Sequence, residues 1–210
     1  MDWHPFTCLP SEAQRVVALD QPTAVVSHES VRGVARLIAE QLLAAQGADD
    51  TVVSGGPDRA PQWPRGFVGS ITHTARFAAV AVMRQSMARA VGIDVEAELA
   101  ADQQALVRQY CLVDDEWSAL LKEAPSLSET QLLTLCFSAK EAAFKCLYPL
   151  VKRYFDFSCV RIVALDESTN LLSIKVLDAE IARCADAPEL TGSFQFAEGY
   201  VFTAFRLPPT

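Results

Sequence analysis

Apolar side chains recur every three or four residues across residues 27–46 of the chain. This spacing places them on one face of an α-helix, so the pattern predicts an amphipathic helix with Ser27 as its N-cap. A longer helix is predicted over residues 129–147, and a shorter one over residues 114–121 with Asp114 as its cap. The apolar residues of the first helix are Val31, Val34, Ile38, Leu42 and Ala45.

Between and after these helices the pattern changes to short β-rich runs. Residues 54–66 contain three prolines and three glycines among few aliphatic side chains, which predicts a turn-rich loop. Three strands are predicted to follow it, in FVGSITHT, in residues 77–83 and in VGIDVE. The last quarter of the chain predicts two hairpins around the turn-like segments DESTN and AEG. Their strands cover residues 159–165 and 171–177, and residues 193–196 and 200–205.

These elements predict an α+β fold in two halves, each with a helix and mainly antiparallel strands. We place the boundary between the halves near residue 90, which gives residues 1–90 and 91–210. No internal sequence repeat is evident. A chain of 210 residues, half of them apolar, is long enough to bury a substantial core as one large domain or two small packed ones.

The net charge of -8 argues against broad binding to nucleic acid or to an anionic membrane, because both need a dense basic surface. No apolar run approaches the roughly 18 residues that a membrane helix needs. The first ten residues, MDWHPFTCLP, have neither a basic leader nor a hydrophobic signal core, which predicts a cytoplasmic protein. The six cysteines are scattered without C-x-x-C pairs, so we predict reduced packing residues.

Candidate chemistry is concentrated in VGIDVE and FSAKEAAFK. Asp94 and Glu96 alternate along a strand and would share a face, where two like charges repel unless a cation lies between them. Glu141 and Lys145 are one helical turn apart, so Glu141 could bind a divalent metal while Lys145 neutralises the charge of a phosphate. Asp94 and Glu96 alone are equally compatible with an exposed strand end.

Other polar or aromatic residues have a simpler structural interpretation. Arg32 and Arg36 share one side of the first helix, and their spacing alone favours two solvated arginines. Lys140 is expected to be solvated or to lie just outside the site. The aromatic residues at helical spacing in the long helix are predicted to pack in the core. They are Phe137, Phe144 and Tyr148.

The segments GPDRAPQWPRGFVGSITHT, VGIDVE and FSAKEAAFKCLYPLVKRYFDF resemble the 4'-phosphopantetheinyl transferases. They occur in the family's order across residues 56–157, nearly half of the chain, and their joint occurrence is more specific than any one of them. The resemblance is greatest to the Sfp-like class, and within it to siderophore-synthesis enzymes of the enterobactin synthetase component D type.

The resemblance implies transfer of 4'-phosphopantetheine from coenzyme A to a serine of an apo acyl carrier protein or peptidyl carrier domain. It further implies a requirement for Mg²⁺ and release of adenosine 3',5'-bisphosphate. The implied fold is a pseudo-twofold pair of similar α+β halves with the site in their cleft. Residues 1–90 would then hold the 3'-phosphate and adenine, and residues 91–210 the metal, the catalytic carboxylates and the carrier protein. A monomer that serves siderophore, peptide, polyketide or fatty-acid synthases is expected.

In the C-terminal half, the resemblance implies that Asp94, Glu96 and Glu141 bind the metal. Lys145 matches the phosphate-binding lysine and would stabilise charge on the pyrophosphate. Glu141 is the expected general base for the serine hydroxyl, acting either directly or through a metal-bound water. The expected catalytic set is Glu141, Lys145, Asp94 and His73.

In the N-terminal half, the resemblance places Thr72 and His73 at the coenzyme 3'-phosphate, and Arg36 beside them. His73 alone would more often be a structural histidine, and the family match reverses that preference. The loop around the adenine nucleotide is matched by Arg59, Ala60 and Pro61.

Two alternatives to the transferase stay open at this level. The same carboxylates could serve a Mg²⁺-dependent nucleotide phosphohydrolase. A non-catalytic module that binds coenzyme A or a carrier protein would have the same fold, although a binder has no need of the complete catalytic set.

Overall fold

The computed structural model describes residues 4–19, 28–56, 60–113 and 115–209, with the backbone alone for residues 28–30. Its helices are α1 (His28–Ala45), α2 (Ala101–Cys111), α3 (Glu116–Glu123), α4 (Glu129–Val151) and α5 (Ala179–Ala185). The first strands are β1 (Gln14–Ala18), β2 (Ser54–Gly55), β3 (Pro61–Gln62), β4 (Phe67–His73) and β5 (Phe77–Arg84). The remaining strands are β6 (Ala90–Ala97), β7 (Val160–Asp166), β8 (Leu171–Val176), β9 (Glu189–Ala197) and β10 (Tyr200–Leu207).

The strands form two main antiparallel sheets, which confirms the predicted α+β class. The first sheet has the order β1-β5-β4 and the second has the order β6-β10-β9-β8-β7. Strands β2 and β3 form a separate two-stranded pair. The first sheet comes from the N-terminal part of the chain and the second from the C-terminal part, with one long helix for each. The division at residue 90 itself stays a prediction.

The two sheets and their helices stack in four layers. Alternate side chains of β5 point to opposite sides of its sheet, as the period of a strand requires. Ala78, Val80 and Val82 pack under α1, whereas Ala79 and Ala81 pack in a core shared with β6 and β10. Helix α4 covers the other face of the second sheet in the largest core of the protein.

Helix α4 lies unusually close to β6, because both contribute small residues to the contact. Ser128 caps the helix by accepting a hydrogen bond from the Gln131 amide, and the Gln131 side chain accepts one from the Ser128 amide. A Cβ at Gly92 on β6 would lie 2.0 Å from the Ala142 carbonyl oxygen and 2.4 Å from the Cys146 amide nitrogen. Only glycine therefore fits at position 92.

Replacing this glycine gives the first testable expectation. Because Gly92→Ala clashes with backbone rather than with a flexible side chain, α4 must shift, and we expect a cost of about 1–3 kcal/mol. For a chain of this size that cost lowers Tm by roughly 2–12 °C in calorimetry. Gly33→Ala on the exposed side of α1 is the control, because its Cβ would have nothing within 4 Å and its helix propensity improves. Equal melting of the Gly92→Ala variant and the wild type would contradict the close packing.

Most predicted elements are confirmed, and the differences have local causes. Strand β1 and helices α2 and α5 were not predicted, because each is short and weakly periodic. Helix α4 continues through Pro149 to Val151, although a proline removes one backbone hydrogen bond and crowds the preceding turn of the helix. The predicted loop 54–66 contains the short strands β2 and β3. The predicted caps Ser27 and Asp114 lie outside the described residues.

Lys140 contradicts its predicted solvent exposure. Its side chain is fully buried and forms an ion pair with Glu116 of α3, at 2.8 Å between Nζ and Oε2. The ammonium group also donates to the carbonyl oxygens of Cys111 and Val160, at 2.7 and 3.1 Å. The alternative of a solvated lysine was wrong because residue 140 of α4 faces α3 and β7, not water.

The six cysteines are free thiols, as predicted, but Cys184 is exposed and is not the packing residue that was expected. Cys111, Cys136 and Cys146 are buried, Cys8 and Cys159 are half-buried, and Cys184 is exposed. Burial raises the pKa of Cys111 and of Cys146 to about 12, so these thiols are not reactive thiolates near neutral pH. Within the described ranges, no helix is both long and apolar enough to cross a membrane.

Candidate active site

A polar cavity of about 770 Å³ opens between α1, β4, β6 and α4. It brings together most of the residues selected from the sequence, although they come from both halves of the chain. Ala60 lines an adjoining cavity, and Arg59 lies outside the described residues. The predicted residues that line the polar cavity are Arg36, Pro61, Thr72, His73, Asp94, Glu96, Glu141 and Lys145.

The approach of β4 to β6 creates the bottom of this cavity. The Ser70 hydroxyl accepts a hydrogen bond from the Ile93 amide at 3.1 Å, and the Thr72 hydroxyl donates to Asp94 Oδ1 at 3.1 Å. These two contacts join the edges of the first and second sheets. Because strand residues alternate, His73 points to the other side of β4, toward α1.

Asp94 is the most constrained carboxylate of the site, and its side chain is only 2% exposed. Its Oδ1 atom accepts from Lys145 Nζ at 2.6 Å as well as from Thr72. Its Oδ2 atom accepts from the Ser138 hydroxyl at 2.9 Å. The structure therefore contradicts the alternative that Asp94 marks an exposed strand end.

Glu96 and Glu141 are half-buried beside Asp94. Burial, reinforced by the charges of Asp94 and Glu141 and partly offset by Lys145, raises the pKa of Glu96 to about 7. Burial also raises the pKa of Glu141. The positive charge of Lys145 opposes this rise, and the negative charge of Asp94 adds to it. Carboxylates whose pKa values rise for these reasons gain from a neighbouring cation.

The donor chemistry of the three carboxylates fits Mg²⁺, which prefers oxygen ligands. All three line one cavity and two of them have raised pKa values. Within residues 4–19, 28–56, 60–113 and 115–209, however, no three His, Cys, Asp or Glu side chains converge as a ready-made metal site. Lys145 occupies the exposed side of Asp94, so side chains must turn before a cation can be shared.

The raised pKa of Glu96 has a measurable effect on stability. Folding raises this pKa from 4.5 to about 7, so its contribution to stability is complete below pH 4.5 and is lost as the pH rises through 7. We expect Glu96→Gln to raise Tm relative to the wild type by about 2–4 °C at pH 8 in EDTA, and by less at pH 5.5. Thermal melts of both proteins at both pH values measure the difference.

The matched control is Glu98→Gln, because Glu98 is exposed and lies two residues further along the chain. Its effect on Tm should be the same at both pH values. A Glu96→Gln effect that does not depend on pH would contradict the unfavourable burial of this charge.

Cationic side chains lie at the α1 end of the polar cavity. Arg32 and Arg36 are one helical turn apart, both exposed, and both line the cavity with His73. The Arg36 guanidinium lies over Gly55, where an added Cβ would be 3.6 Å from Nη2. The two arginines are solvated, as their spacing indicates, and they also face the cavity.

A second, mainly apolar cavity of about 530 Å³ adjoins the first, and Pro61, Ile71 and Lys145 line both. Phe144 and Tyr148 are half-buried and form part of its wall, and Phe144 also packs against the largest core, as predicted. Phe137 is half-buried against Phe157, with ring centroids 5.9 Å apart. The remaining residues of the second cavity are Ala60, Trp63, Gly69, Ser70, Pro149 and Tyr154.

Several residues of the site had no predicted role. Trp63 packs directly over Gly69, where a Cβ would lie 2.5 Å from the indole ring. Ser138 and Thr203 are fully buried next to Asp94. A serine among the mostly apolar buried residues of α4 is a sequence signal that could have identified Ser138. No local signal identifies Thr203, which is distant in sequence.

Two family models match the chain. The 4'-phosphopantetheinyl transferase N-terminal domain matches residues 12–83. The 4'-phosphopantetheinyl transferase superfamily matches residues 90–203, which is more than half of the chain.

Two of three similar proteins carry the name of this family. The 4'-phosphopantetheinyl transferase Npt of Nocardia iowensis is 27% identical over 94% of this chain and 97% of its own length. The 4'-phosphopantetheinyl transferase PptT of Mycobacterium tuberculosis is 29% identical over 96% of this chain and 87% of its own. Enterobactin synthase component D of Salmonella typhi is 32% identical over 67% of this chain and 56% of its own.

Among solved structures, the holo-[acyl-carrier-protein] synthase of Helicobacter pylori in complex with coenzyme A aligns with 14% identity and a TM-score of 0.38. The alignment covers 55% of this chain and 96% of the other. The match over residues 90–203, together with relatives that align over nearly the whole chain, is decisive. This chain belongs to the 4'-phosphopantetheinyl transferase superfamily.

Proposed function

We propose that the protein transfers 4'-phosphopantetheine from coenzyme A to a serine of an apo carrier protein, with Mg²⁺, and releases adenosine 3',5'-bisphosphate. One observation carries the proposal: a polar cavity with cations at one end and carboxylates at the other adjoins an apolar cavity, with Lys145 at their junction. Coenzyme A has the same order of chemistry, from a charged nucleotide through a pyrophosphate to a largely neutral arm.

The position of each part of coenzyme A follows from this order. Arg36 and His73 are suited to the 3'-phosphate, and the loop at Ala60 and Pro61 to the adenine. The pyrophosphate would lie near Lys145, where the two cavities meet. The pantetheine arm would enter the apolar cavity, between the aromatic walls supplied by the β3–β4 connection and α4.

The residues at the junction have complementary roles in the proposed reaction. Mg²⁺ held by Asp94, Glu96 and Glu141 would neutralise charge on the pyrophosphate. Lys145 is 28% exposed and can turn from Asp94 toward a phosphate oxygen, where it stabilises the leaving group. Glu141 has a raised pKa, which suits a base that accepts the serine proton near neutral pH.

The proposal is tested by incubating an apo carrier protein with coenzyme A, Mg²⁺ and the enzyme, followed by mass spectrometry. We expect the mass of one phosphopantetheine on the carrier serine and none when EDTA replaces Mg²⁺. Nucleotide hydrolysis without carrier modification would instead establish the phosphohydrolase. Binding of coenzyme A without any reaction would establish the non-catalytic module.

The 3'-phosphate contacts give a separate prediction. We expect Arg36→Ala and His73→Ala to weaken coenzyme A about ten-fold to a hundred-fold, because a charged hydrogen bond contributes about 1.5–3 kcal/mol. Binding of 3'-dephospho-coenzyme A should change little, since it lacks the phosphate. Titration calorimetry with both ligands measures the difference, and Arg65→Ala, an exposed arginine that is not part of either cavity, is the control. Equal losses of affinity for the two ligands would show that the 3'-phosphate does not contact Arg36 and His73.

The biological setting is part of the proposal. We infer that the enzyme acts as a cytoplasmic monomer on acyl or peptidyl carrier domains of siderophore, peptide or polyketide synthesis. Multi-angle light scattering of the purified protein tests the monomer. The mass-spectrometric assay, run with carriers from each pathway, tests the choice of carrier.

A further inference from the structure

Two buried hydroxyl groups lie directly behind Asp94, on the side away from the cavity. Ser138 belongs to α4 and Thr203 to β10, and both side chains are fully buried. Ser138 Oγ lies 2.9 Å from Asp94 Oδ2 and 2.8 Å from Thr203 Oγ1. Thr203 Oγ1 is also 3.0 Å from the Ser138 carbonyl oxygen.

The number of protons fixes the direction of these hydrogen bonds. Ser138 Oγ donates to Asp94 Oδ2, so the single hydroxyl proton of Ser138 is used in that bond. The contact between the two hydroxyls then requires the proton of Thr203, which is shared between Ser138 Oγ and the Ser138 carbonyl. The result is a chain that runs in one direction, from Thr203 to Ser138 to Asp94, and each bond polarises the next.

The other oxygen of Asp94 faces the site. Oδ1 accepts from Thr72 and Lys145, and Lys145 lines both cavities. One oxygen is therefore held from the core while the other is presented to the cavity. Strand register contributes to this arrangement, because Thr203 is the direct cross-strand partner of Asp94 in the β6–β10 pair.

Packing alone does not account for these hydroxyls. Thr203 lies on the face of β10 that packs against α4. Its neighbours on this face, Val201 and Phe205, are apolar. Ser138 lies on a helix whose buried neighbours include Ala139 and Ala142. Valine and alanine would fill these places without burying a polar group, which is costly unless it is hydrogen-bonded.

We propose that Ser138 and Thr203 are positioning residues that hold Asp94 with Oδ1 toward the divalent cation and the pyrophosphate. The inference rests on the proposed function, since it assigns a cation to Asp94. Without this chain the carboxylate can rotate, and Oδ1 loses its fixed direction toward the cavity. Hydrogen bonds that orient a ligating carboxylate typically change metal affinity or activity about 10–100-fold.

The test compares two substitutions at one position. Thr203→Val keeps the shape and removes the hydroxyl, whereas Thr203→Ser keeps the hydroxyl and removes a methyl group. Mn²⁺ binding, followed by the electron paramagnetic resonance of the free ion without coenzyme A, gives a readout other than turnover. We expect about ten-fold weaker Mn²⁺ binding for Thr203→Val. Thr203→Ser should bind Mn²⁺ as the wild type does, although its Tm is lower by about 2–4 °C.

A double-variant cycle tests the order of the chain. Ser138→Ala should weaken Mn²⁺ binding at least as much as Thr203→Val, because it removes the group that touches Asp94. Adding Thr203→Val to Ser138→Ala should cause no further loss, since Thr203 acts through Ser138.

Two outcomes would overturn the inference, provided that the wild type still transfers phosphopantetheine. In the first, Mn²⁺ affinity follows Tm across the variants. In the second, the losses of Mn²⁺ affinity caused by the two single substitutions add in the double variant. A wild-type protein that neither binds Mn²⁺ nor modifies a carrier refutes the proposed function, and the role of these hydroxyls with it. The wild-type assay therefore distinguishes the two failures.

Discussion

Glu141→Gln is expected to lower kcat/KM for carrier modification by at least about a thousand-fold. The substitution keeps the volume of the side chain but removes both a carboxylate ligand and the proposed base. Glu141 is half-buried at the cavity, and its side chain forms no hydrogen bond with another described residue. We therefore expect Tm to stay within a few degrees of the wild type, because the substitution opens no core cavity and breaks no buried hydrogen-bond network, the usual causes of a large loss of stability.

Mass-spectrometric rates and calorimetry on the same protein samples check this expectation. Glu129→Gln is the matched control, because it makes the same change at an exposed position in the first turn of α4. A variant that melts like the wild type and keeps its turnover would remove Glu141 from the mechanism.

Glu116→Gln should produce the largest loss of stability. The Glu116 carboxylate is fully buried and accepts hydrogen bonds from Lys140 and from the amides of Val113 and Ile162. Glutamine leaves the Lys140 ammonium buried without its counter-charge, and breaking a buried ion pair in this way costs about 3–5 kcal/mol. Tm should fall by roughly 6–20 °C in calorimetry.

Glu198→Gln provides the comparison, because the Arg76–Glu198 ion pair is more than half exposed on both sides. Exposed pairs contribute about 1 kcal/mol or less, so this variant should melt close to the wild type. A restoring change strengthens the test: Lys140→Met in the Glu116→Gln background removes the unpaired charge and should recover part of the loss. Similar melting of Glu116→Gln and Glu198→Gln would show that the buried pair contributes little.

Asp94 and Glu141 differ more than their shared predicted role suggested. In sequence both are acidic residues of a short motif with the same predicted ligand role. In the structure, Asp94 is buried and bonded to three side chains, whereas Glu141 lines the cavity without a hydrogen bond to any other described side chain. An Asp94 variant therefore combines loss of a ligand with loss of stability, and only Glu141 separates the two effects.

Sequence alone determined the parts of this protein that depend on neighbours along the chain. A helical period identified α1 and α4, and alternation placed Asp94 and Glu96 on one side of a strand. The spacing of Glu141 and Lys145 put both at the site, because residues four apart lie on one face of a helix. The family was also indicated by the motifs in combination, since their residues and their order are properties of the sequence itself.

Tertiary structure decided the features that depend on contacts between distant segments. Successive residues of α4 point about 100° apart, so Lys140 and Glu141 had to face different surroundings. Which of them faced a cavity depended on where α3 and β6 pack. The approach of Thr72 to Asp94, and the register that sets Thr203 opposite Asp94, likewise join segments far apart in sequence. Hydrogen bonds and burial depend on contacts between residues that are distant in sequence, and a local sequence pattern does not specify those contacts.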